Sequence, residues 1–245
     1  TSGAIVAFTD DDAAADPEWL EQLAVAFATE TTIGVGGLLV PDWQGPEPRW
    51  FPPELNWVFG CSYRGLPTEL APIRNPIGAN MAVRREALEA IGGFSAGVAP
   101  RELKQGGKVL SGGHALDDTR LGIAVSQAFP GKRWLYQPAA RVNHKVAAGR
   151  ATFNYLLIRC FEEGEGKAAL AATVGAASGL ESERRHLFVT IPRGFALGFA
   201  DLLRGDRYGP ARSLALLAGV AATASGFLVA SLRGRLRRDP SPRRP

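Results

Sequence analysis

Cysteine, methionine and histidine are scarce in these 245 residues, which hold two Cys, one Met and three His. Cys61 and Cys160 lie far apart with no second thiol near either. That excludes a disulfide framework and the paired-thiol spacing of a zinc site, and it fits a reducing compartment. Surplus charge is also small. The net charge is +4 and the pI ≈ 9.3, but Arg233, Arg235, Arg237, Arg238, Arg243 and Arg244 crowd the end of the chain. The body is therefore near neutral, and the pI is no argument for a nucleic-acid partner. No G-x-x-x-x-G-K loop occurs, so a P-loop phosphotransferase or nucleotidyltransferase lacks its phosphate cradle. No internal repeat is visible. Apolar side chains are plentiful: 46% hydrophobic residues against 21% charged suit one large domain with appendages.

Three consecutive carboxylates are the most informative local feature. Ile5-Val6-Ala7-Phe8-Thr9 is an apolar, β-branched run of the kind that forms a short buried strand, and it ends in Asp10-Asp11-Asp12. In open α/β folds ligands bind beyond the carboxyl ends of the strands. Three acids at such a place repel one another unless a cation or a donor-rich ligand neutralises them. Hard oxygen ligands on a loop suit Mg²⁺ or Mn²⁺ bridging to a diphosphate. Helix capping is the plainer alternative, and Asp16-Pro17 reads as such a start, with Pro at the first helical position. Capping needs one acid, however, and not a triplet. The strand pattern begins four residues from Thr1, with no initiator Met or leader pattern before it. A strand feeding an acidic loop ordinarily has sheet neighbours on both sides, so the sequence reads as a fragment lacking its upstream part.

Along the chain, apolar spacing predicts a helix over 18–28, a strand over 33–40, and a Pro- and Trp-rich loop over 41–53 lying above the site. A strand is expected over 56–63, then a turn over 73–80 entering a short strand over 80–83. A helix over 84–91 stops at Gly92-Gly93. The glycine-rich stretch 98–113 predicts a mobile loop. A helix over 116–129 and a strand over 134–142 complete this part. From 152 to 172 a helix is expected, broken at Glu162, Glu163 and Glu165. Residues 184–203 mix Arg184, Arg185 and Arg193 with apolar positions and are interrupted by Pro192, a pattern that can lie on a membrane surface. Residues 214–232 are almost uncharged and long enough to span a bilayer, at roughly 20 residues, although a buried amphipathic helix pair would share the composition. A tail from Asp239 reads as disordered.

The second acidic signal is Asp117-Asp118-Thr119-Arg120-Leu121, opening an amphipathic helix after Gly106, Gly107, Gly112 and Gly113. Alone it reads as a helix N-terminus favoured by the helix dipole. Beside a metal-diphosphate loop, a carboxylate there can act as a base towards an acceptor hydroxyl. At this point the chain resembles the family 2 glycosyltransferases. Four segments carry the likeness, in the family's order. Phe8-Thr9-Asp10-Asp11-Asp12 with Asp16-Pro17-Glu18-Trp19-Leu20 is similar to the DXD strand-loop and its helix. Asn75-Pro76-Ile77-Gly78-Ala79-Asn80 through Gly92-Gly93-Phe94 is similar to the GAN segment. Asp117-Asp118 stands where the acidic base motif occurs. Leu135-Tyr136-Gln137-Pro138 through Val142-Asn143-His144 resembles the last core strand. Arg120 departs from the motif, since an acid is frequent there.

The resemblance implies an α/β GT-A (Rossmann-like) mixed sheet, here its C-terminal part, over residues 1–150. A helical, membrane-surface segment would follow at 151–210, a candidate membrane helix at 211–233 and a basic tail at 234–245. It implies that Asp10, Asp11 and Asp12 contact the donor, with Asp12 and Asp10 as ligands of Mg²⁺ or Mn²⁺ and His144 as a further ligand. Asp118 would be the catalytic base and Asp117 its supporting acid, while Asn80 would line the sugar or acceptor pocket. The expected reaction is metal-dependent, inverting transfer of one sugar from a nucleotide-diphosphate sugar to a hydroxyl or lipid-phosphate acceptor. The QxxRW motif of processive members is missing. Trp43, Trp50 and Trp57 offer flat faces to a sugar or a lipid, or serve the core. The apolar C-terminal part suggests a polyprenyl-linked acceptor at the membrane, and the arginine tail after it the cytoplasmic face of the plasma membrane. An inactive membrane-associated scaffold of the same fold is the alternative.

Overall fold

A computed structural model describes residues 2–93, 104–105, 108–109, 117–174 and 186–238. Six strands form one mixed sheet: β1 (Ile5–Thr9), β2 (Ala13–Ala15), β3 (Thr32–Trp43), β4 (Ala71–Ile73), β5 (Asn80–Arg84) and β8 (Arg133–Val146). Two short strands, β6 (Lys104–Gln105) and β7 (Lys108–Val109), pair with each other alone. The sheet order is β1-β5-β3-β8-β2, and β4 joins β8 from the side. β3 and β8 run parallel, and β5 is antiparallel to both β1 and β3. It follows that β1, β3 and β8 all point the same way, with their carboxyl ends on one side of the sheet.

Most expected elements form, and the departures have local causes. Within the described residues β1 is a partly exposed strand, with exposed and half-buried residues alternating along it. It pairs with β5 alone and leaves Ile5 37% exposed. Beside it, Ile5, Ala7, Leu20 and Phe27 line a shallow apolar hollow. Helix α1 (Trp19–Ala26) starts two residues after Pro17. Asp16 does not cap it, because its carboxylate takes the Asn143 amide (3.2 Å) instead. The strand expected over 56–63 is a 3-10 turn, Pro53–Phe59. Pro53 fixes φ and lacks an N–H at its first turn, and Gly60 at φ 71° ends it. Residues 41–43 of the expected Trp loop continue β3.

Helix α2 (Arg85–Ala90) stops as expected: Gly92 and Gly93 both take positive φ, and the Gly93 N–H donates to the Leu88 carbonyl. Helix α3 (Asp117–Ala128) leads into β8, whose Trp134 packs in a core with Ile33, Met81, Val83, Leu121 and Val125. Helix α4 (Phe153–Val174) runs straight through its three glutamates. They do not break it because each has a cation: Arg159 for Glu162 (2.6 Å), Lys167 for Glu163 (2.9 Å) and Arg233 for Glu165 (3.2 Å). Pro192 opens helix α5 (Ile191–Leu203) after a π turn at His186–Thr190, so it marks a start and not an interruption. Helix α6 (Gly209–Arg238) is the longest.

The helices share a core with the sheet. Leu39, Val142 and Val146 from the strands meet Leu55, Val58 and Phe59 of the 3-10 turn, Leu156 and Cys160 of α4, Ile191 of α5 and Leu216 of α6. Full burial of each large apolar side chain is worth about 1.5–3 kcal/mol. Glycines set how closely α4 and α6 approach. Gly164 lies against the Thr223 carbonyl and Gly226 against the Phe161 carbonyl, with no room for a side-chain carbon at either. Trp43, Trp50 and Trp57 all pack against this same core, Trp43 edge-on to Phe59 at 5.0 Å between ring centres. Core packing is thus what the structure shows for the three tryptophans. Of the stretch 98–113, expected as a mobile loop, residues 104–105 and 108–109 form the β6–β7 pair; the rest, with Gly106, Gly107, Gly112 and Gly113, lies outside the described residues, as do Phe94 and the tail from Asp239.

Candidate active site

The carboxyl ends of β1 and β8 place the acidic triplet beside His144. Beyond Thr9 the chain turns tightly, the Ala13 N–H donating to the Asp10 carbonyl (3.2 Å), and returns as β2 alongside β8. Ala13 stands opposite His144 in that ladder, and the Lys145 N–H donates to the Asp12 carbonyl (2.9 Å). The register therefore fixes Asp12 against the imidazole, with Asp12 Oδ1 3.2 Å from His144 Nε2. His144 is buried, Asp12 half-buried and Asp10 exposed, and one ligand atom from each lies within 4.8 Å of the others. Asp11 is exposed and falls outside this group.

Two carboxylate oxygens and one imidazole nitrogen converging on a half-open loop form a donor set that fits Mn²⁺ or Mg²⁺. The imidazole is held from behind, since its Nδ1 faces Cys61 Sγ at 3.7 Å. Burial, then the Asp12 charge, pushes the Cys61 thiol up to about 12, so this sulfur stays a neutral thiol at physiological pH and offers no thiolate ligand. Gly60, at positive φ, lets the chain pass the imidazole edge. Burial raises the pKa of Asp10, and Asp12 and Asp11 raise it further, while His144 opposes them.

Asp118 approaches the same end of the sheet from α3. Its Oδ2 accepts the Gly78 N–H (3.2 Å) and its Oδ1 the Thr119 N–H (2.6 Å). Gly78 sits two residues before Asn80, and Asn80 pairs with Thr9, the residue preceding the acidic triplet. One turn, Ile77–Asn80, is therefore flanked by Asp118 and by the end of β1. Burial lifts the Asp118 carboxyl from 3.8 to about 6 against the pull of both N–H groups, and the charge of Glu163 on α4 adds to the rise. Asp117 begins α3, but the described structure does not extend to its side chain.

Asn80 turns out to be fully buried and fully engaged. Its Nδ2 donates to the Leu38 and Ala140 carbonyls (3.1 and 2.8 Å), and its Oδ1 accepts from the Trp19 indole (2.8 Å). It ties β5 to β3, β8 and α1 and has little left for a ligand. Two further residues bear on the site without a sequence signal. Cys61 belongs to no motif, and nothing in local spacing tells that it meets His144 or that the Glu163 charge reaches Asp118.

Residues 1–92 match the family model described as glycosyl transferase family 2. Over these residues the chain is of this family, and its mixed sheet is consistent with the GT-A fold. A glucosyl-dolichyl phosphate glucuronosyltransferase of Haloferax volcanii is 34% identical over 167 residues, covering 68% of this chain and 50% of the relative. The chain thus spans about half the length of the relative it matches.

Proposed function

We propose that this glycosyl transferase family 2 chain belongs to an enzyme that moves a single sugar from a nucleotide-diphosphate sugar to a lipid-phosphate-linked acceptor, with inversion. The observation that carries this reading is the meeting of Asp10, Asp12 and His144 at one side of the Ile77–Asn80 turn and Asp118 at the other. A divalent cation, when bound, supplies charge neutralisation of the donor diphosphate and of the leaving group. Asp12 and His144, with Asp10, would hold it. Asp118 takes the proton of the acceptor hydroxyl, which attacks the anomeric carbon from the face opposite the departing diphosphate. The bond to the diphosphate oxygen breaks as the new glycosidic bond forms, and one such displacement inverts the centre. Asp117 supports this base.

The lipid-linked acceptor is supported by the relative, whose name specifies glucosyl-dolichyl phosphate, and by the apolar helices. Two helical stretches, His186–Leu203 and Gly209–Arg235, are long and apolar enough to cross a membrane, and 22% and 28% of their most apolar windows are buried within the protein. Phe188, Leu203, Leu214, Leu228 and Leu232 stand 58–89% exposed along them. We assign residues 1–150 to the catalytic part, 151–210 to a helical membrane-surface part and 211–233 to a candidate span, with the site on the cytoplasmic face. The test is Mn²⁺ binding followed by electron paramagnetic resonance. Wild type should bind one ion, whereas Asp12→Asn and His144→Ala should each bind at least about tenfold more weakly. Equal affinity in all three proteins removes the metal assignment.

A further inference from the structure

A groove of about 620 Å³ lies between α5 and the segment that follows the 3-10 turn. Its walls are apolar, from Val189, Leu197 and Ala200, and two guanidinium groups, Arg64 and Arg193, line it. Glu54 is also in the lining but is 2% exposed and takes Arg64 Nη1 at 2.9 Å. That pair cancels one charge of each sign. Arg64 nonetheless keeps its side chain 54% exposed, and a guanidinium has further N–H donors beyond the one given to Glu54. Arg193 is exposed and, among the described residues, has no hydrogen-bond or ion-pair partner. The groove therefore carries a net positive charge beside an apolar wall. The apolar character continues along α5 through Phe199, Leu202 and Leu203, which are 47–89% exposed.

We propose that this groove binds the phosphate headgroup of a single-chain lipid, with Arg64 and Arg193 on the phosphate and the hydrocarbon chain along α5. Charge complementarity selects the occupant, because a lipid phosphate is anionic at neutral pH, as a free monoester or as a diester carrying a sugar, and phosphate oxygens pair best with guanidinium groups. A free anion would have no use for the apolar wall, and an uncharged lipid none for the two arginines. The groove also has a fixed relation to the candidate active site. Cys61 touches His144, and Arg64 is three residues further on, at most ~11 Å along an extended chain. A short segment thus joins the groove to the residue that backs the His144 imidazole. Close packing sets the wall, since Gly65, at φ 115°, lies against Thr190 at the foot of α5 and has no space for a side chain. This inference rests on the lipid-linked acceptor proposed above and assigns it a place.

The experiment is titration of the full chain in detergent micelles with farnesyl phosphate, farnesol and inorganic phosphate. Farnesyl phosphate should bind at least about tenfold more tightly than either of the others. Arg193→Gln, at an exposed position where folding is not at stake, should weaken farnesyl phosphate binding about tenfold or more, the loss of one charge-assisted contact, and Arg193→Lys should restore part of it. Leu197→Gln should weaken it several-fold. Unchanged affinity in Arg193→Gln overturns the proposal. Equal binding of farnesol reduces the groove to an apolar surface, and equal binding of inorganic phosphate to a free-anion site; both refute it. Mn²⁺ binding measured on the same samples separates the two readings. Lipid binding without Mn²⁺ binding removes the metal chemistry and leaves the groove, and the converse removes the groove alone.

Discussion

Replacing Asp118 by Asn should stabilise the protein at neutral pH while abolishing transfer. A carboxyl that ionises at about 6 instead of 3.8 carries, at pH 7.5, a charge that the fold disfavours by about 3 kcal/mol. The native carboxyl binds its proton more tightly than the unfolded one. Stability from this group is therefore greatest below pH 4, falls as the pH rises between 4 and 6, and stays at its lower level above 6. Asparagine never pays that charge penalty. It keeps one carbonyl oxygen for the N–H groups of Gly78 and Thr119 and gives up one acceptor, at about 1 kcal/mol. The variant should thus be less stable than wild type by about 1 kcal/mol at pH 4 and more stable by about 2 kcal/mol at pH 7.5. Urea unfolding followed by tryptophan fluorescence at the two pH values reads both numbers. A stability difference that does not change with pH would refute the account of Asp118 as a carboxyl held out of water.

The base role proposed for Asp118 carries a pH dependence of its own. With Asp118 as the base, transfer by the whole enzyme should fall about tenfold per pH unit below 6 and level off above it, with the variant down by ~10²–10⁴-fold throughout the plateau. A full-rate Asp118→Asn enzyme removes the base assignment.

Gly164→Leu should separate α4 from α6, because the leucine would displace the Thr223 carbonyl backbone; a loss of several kcal/mol and a lowered Tm by circular dichroism are expected. Cys61 and Cys160 should resist a thiol-specific reagent at pH 8 in the native state and react only on unfolding, since burial pushes both thiols up to about 12; rapid native labelling of either contradicts this. Arg212→Ala should loosen the α5–α6 connection by about 1–3 kcal/mol, because Arg212 holds Asp201 (2.8 Å), Asp206 (2.9 Å) and the Arg49 carbonyl (3.0 Å) together; limited proteolysis near Gly205 should report it, and an unchanged cleavage rate argues against the clamp.

The parts legible in the sequence were those with a local physical signature. Period-2 and period-3.6 apolar patterns located β3, β5, β8 and the helices, and paired glycines located the end of α2. The acids and His144 stood out because their chemistry is rare among apolar strand ends. What failed was long-range. Which strand β1 pairs with, β5 here, depends on residues more than 70 positions away, which a five-residue apolar run does not encode. Asn80 looked like a pocket residue because an amide before a strand can serve a ligand or a backbone equally well; only the convergence of Leu38, Ala140 and Trp19 decides between them. The three glutamates of α4 looked disruptive because two of their cations stand within one helical turn but the third, Arg233, is on another helix.

The C-terminal helices follow a different logic from the appendage their composition suggests. Leu156, Ile191 and Leu216 complete the same core as Leu39 and Val142, so the sheet that carries His144 loses part of its packing if these helices leave. Outward, α5 and α6 present Phe199, Leu203, Leu214 and Leu228, which nothing else among the described residues covers. A helix pair that is core on one side and bare on the other fixes the orientation of the sheet relative to whatever apolar medium it meets. If that medium is a bilayer, the carboxyl ends of β1 and β8 are presented at one constant angle to it. Removal of α5 and α6 should then cost fold stability and membrane binding together. Flotation with anionic vesicles, run beside urea unfolding on a chain ending after Val174, tests this coupling: a truncated protein of full stability breaks the link between core and membrane face.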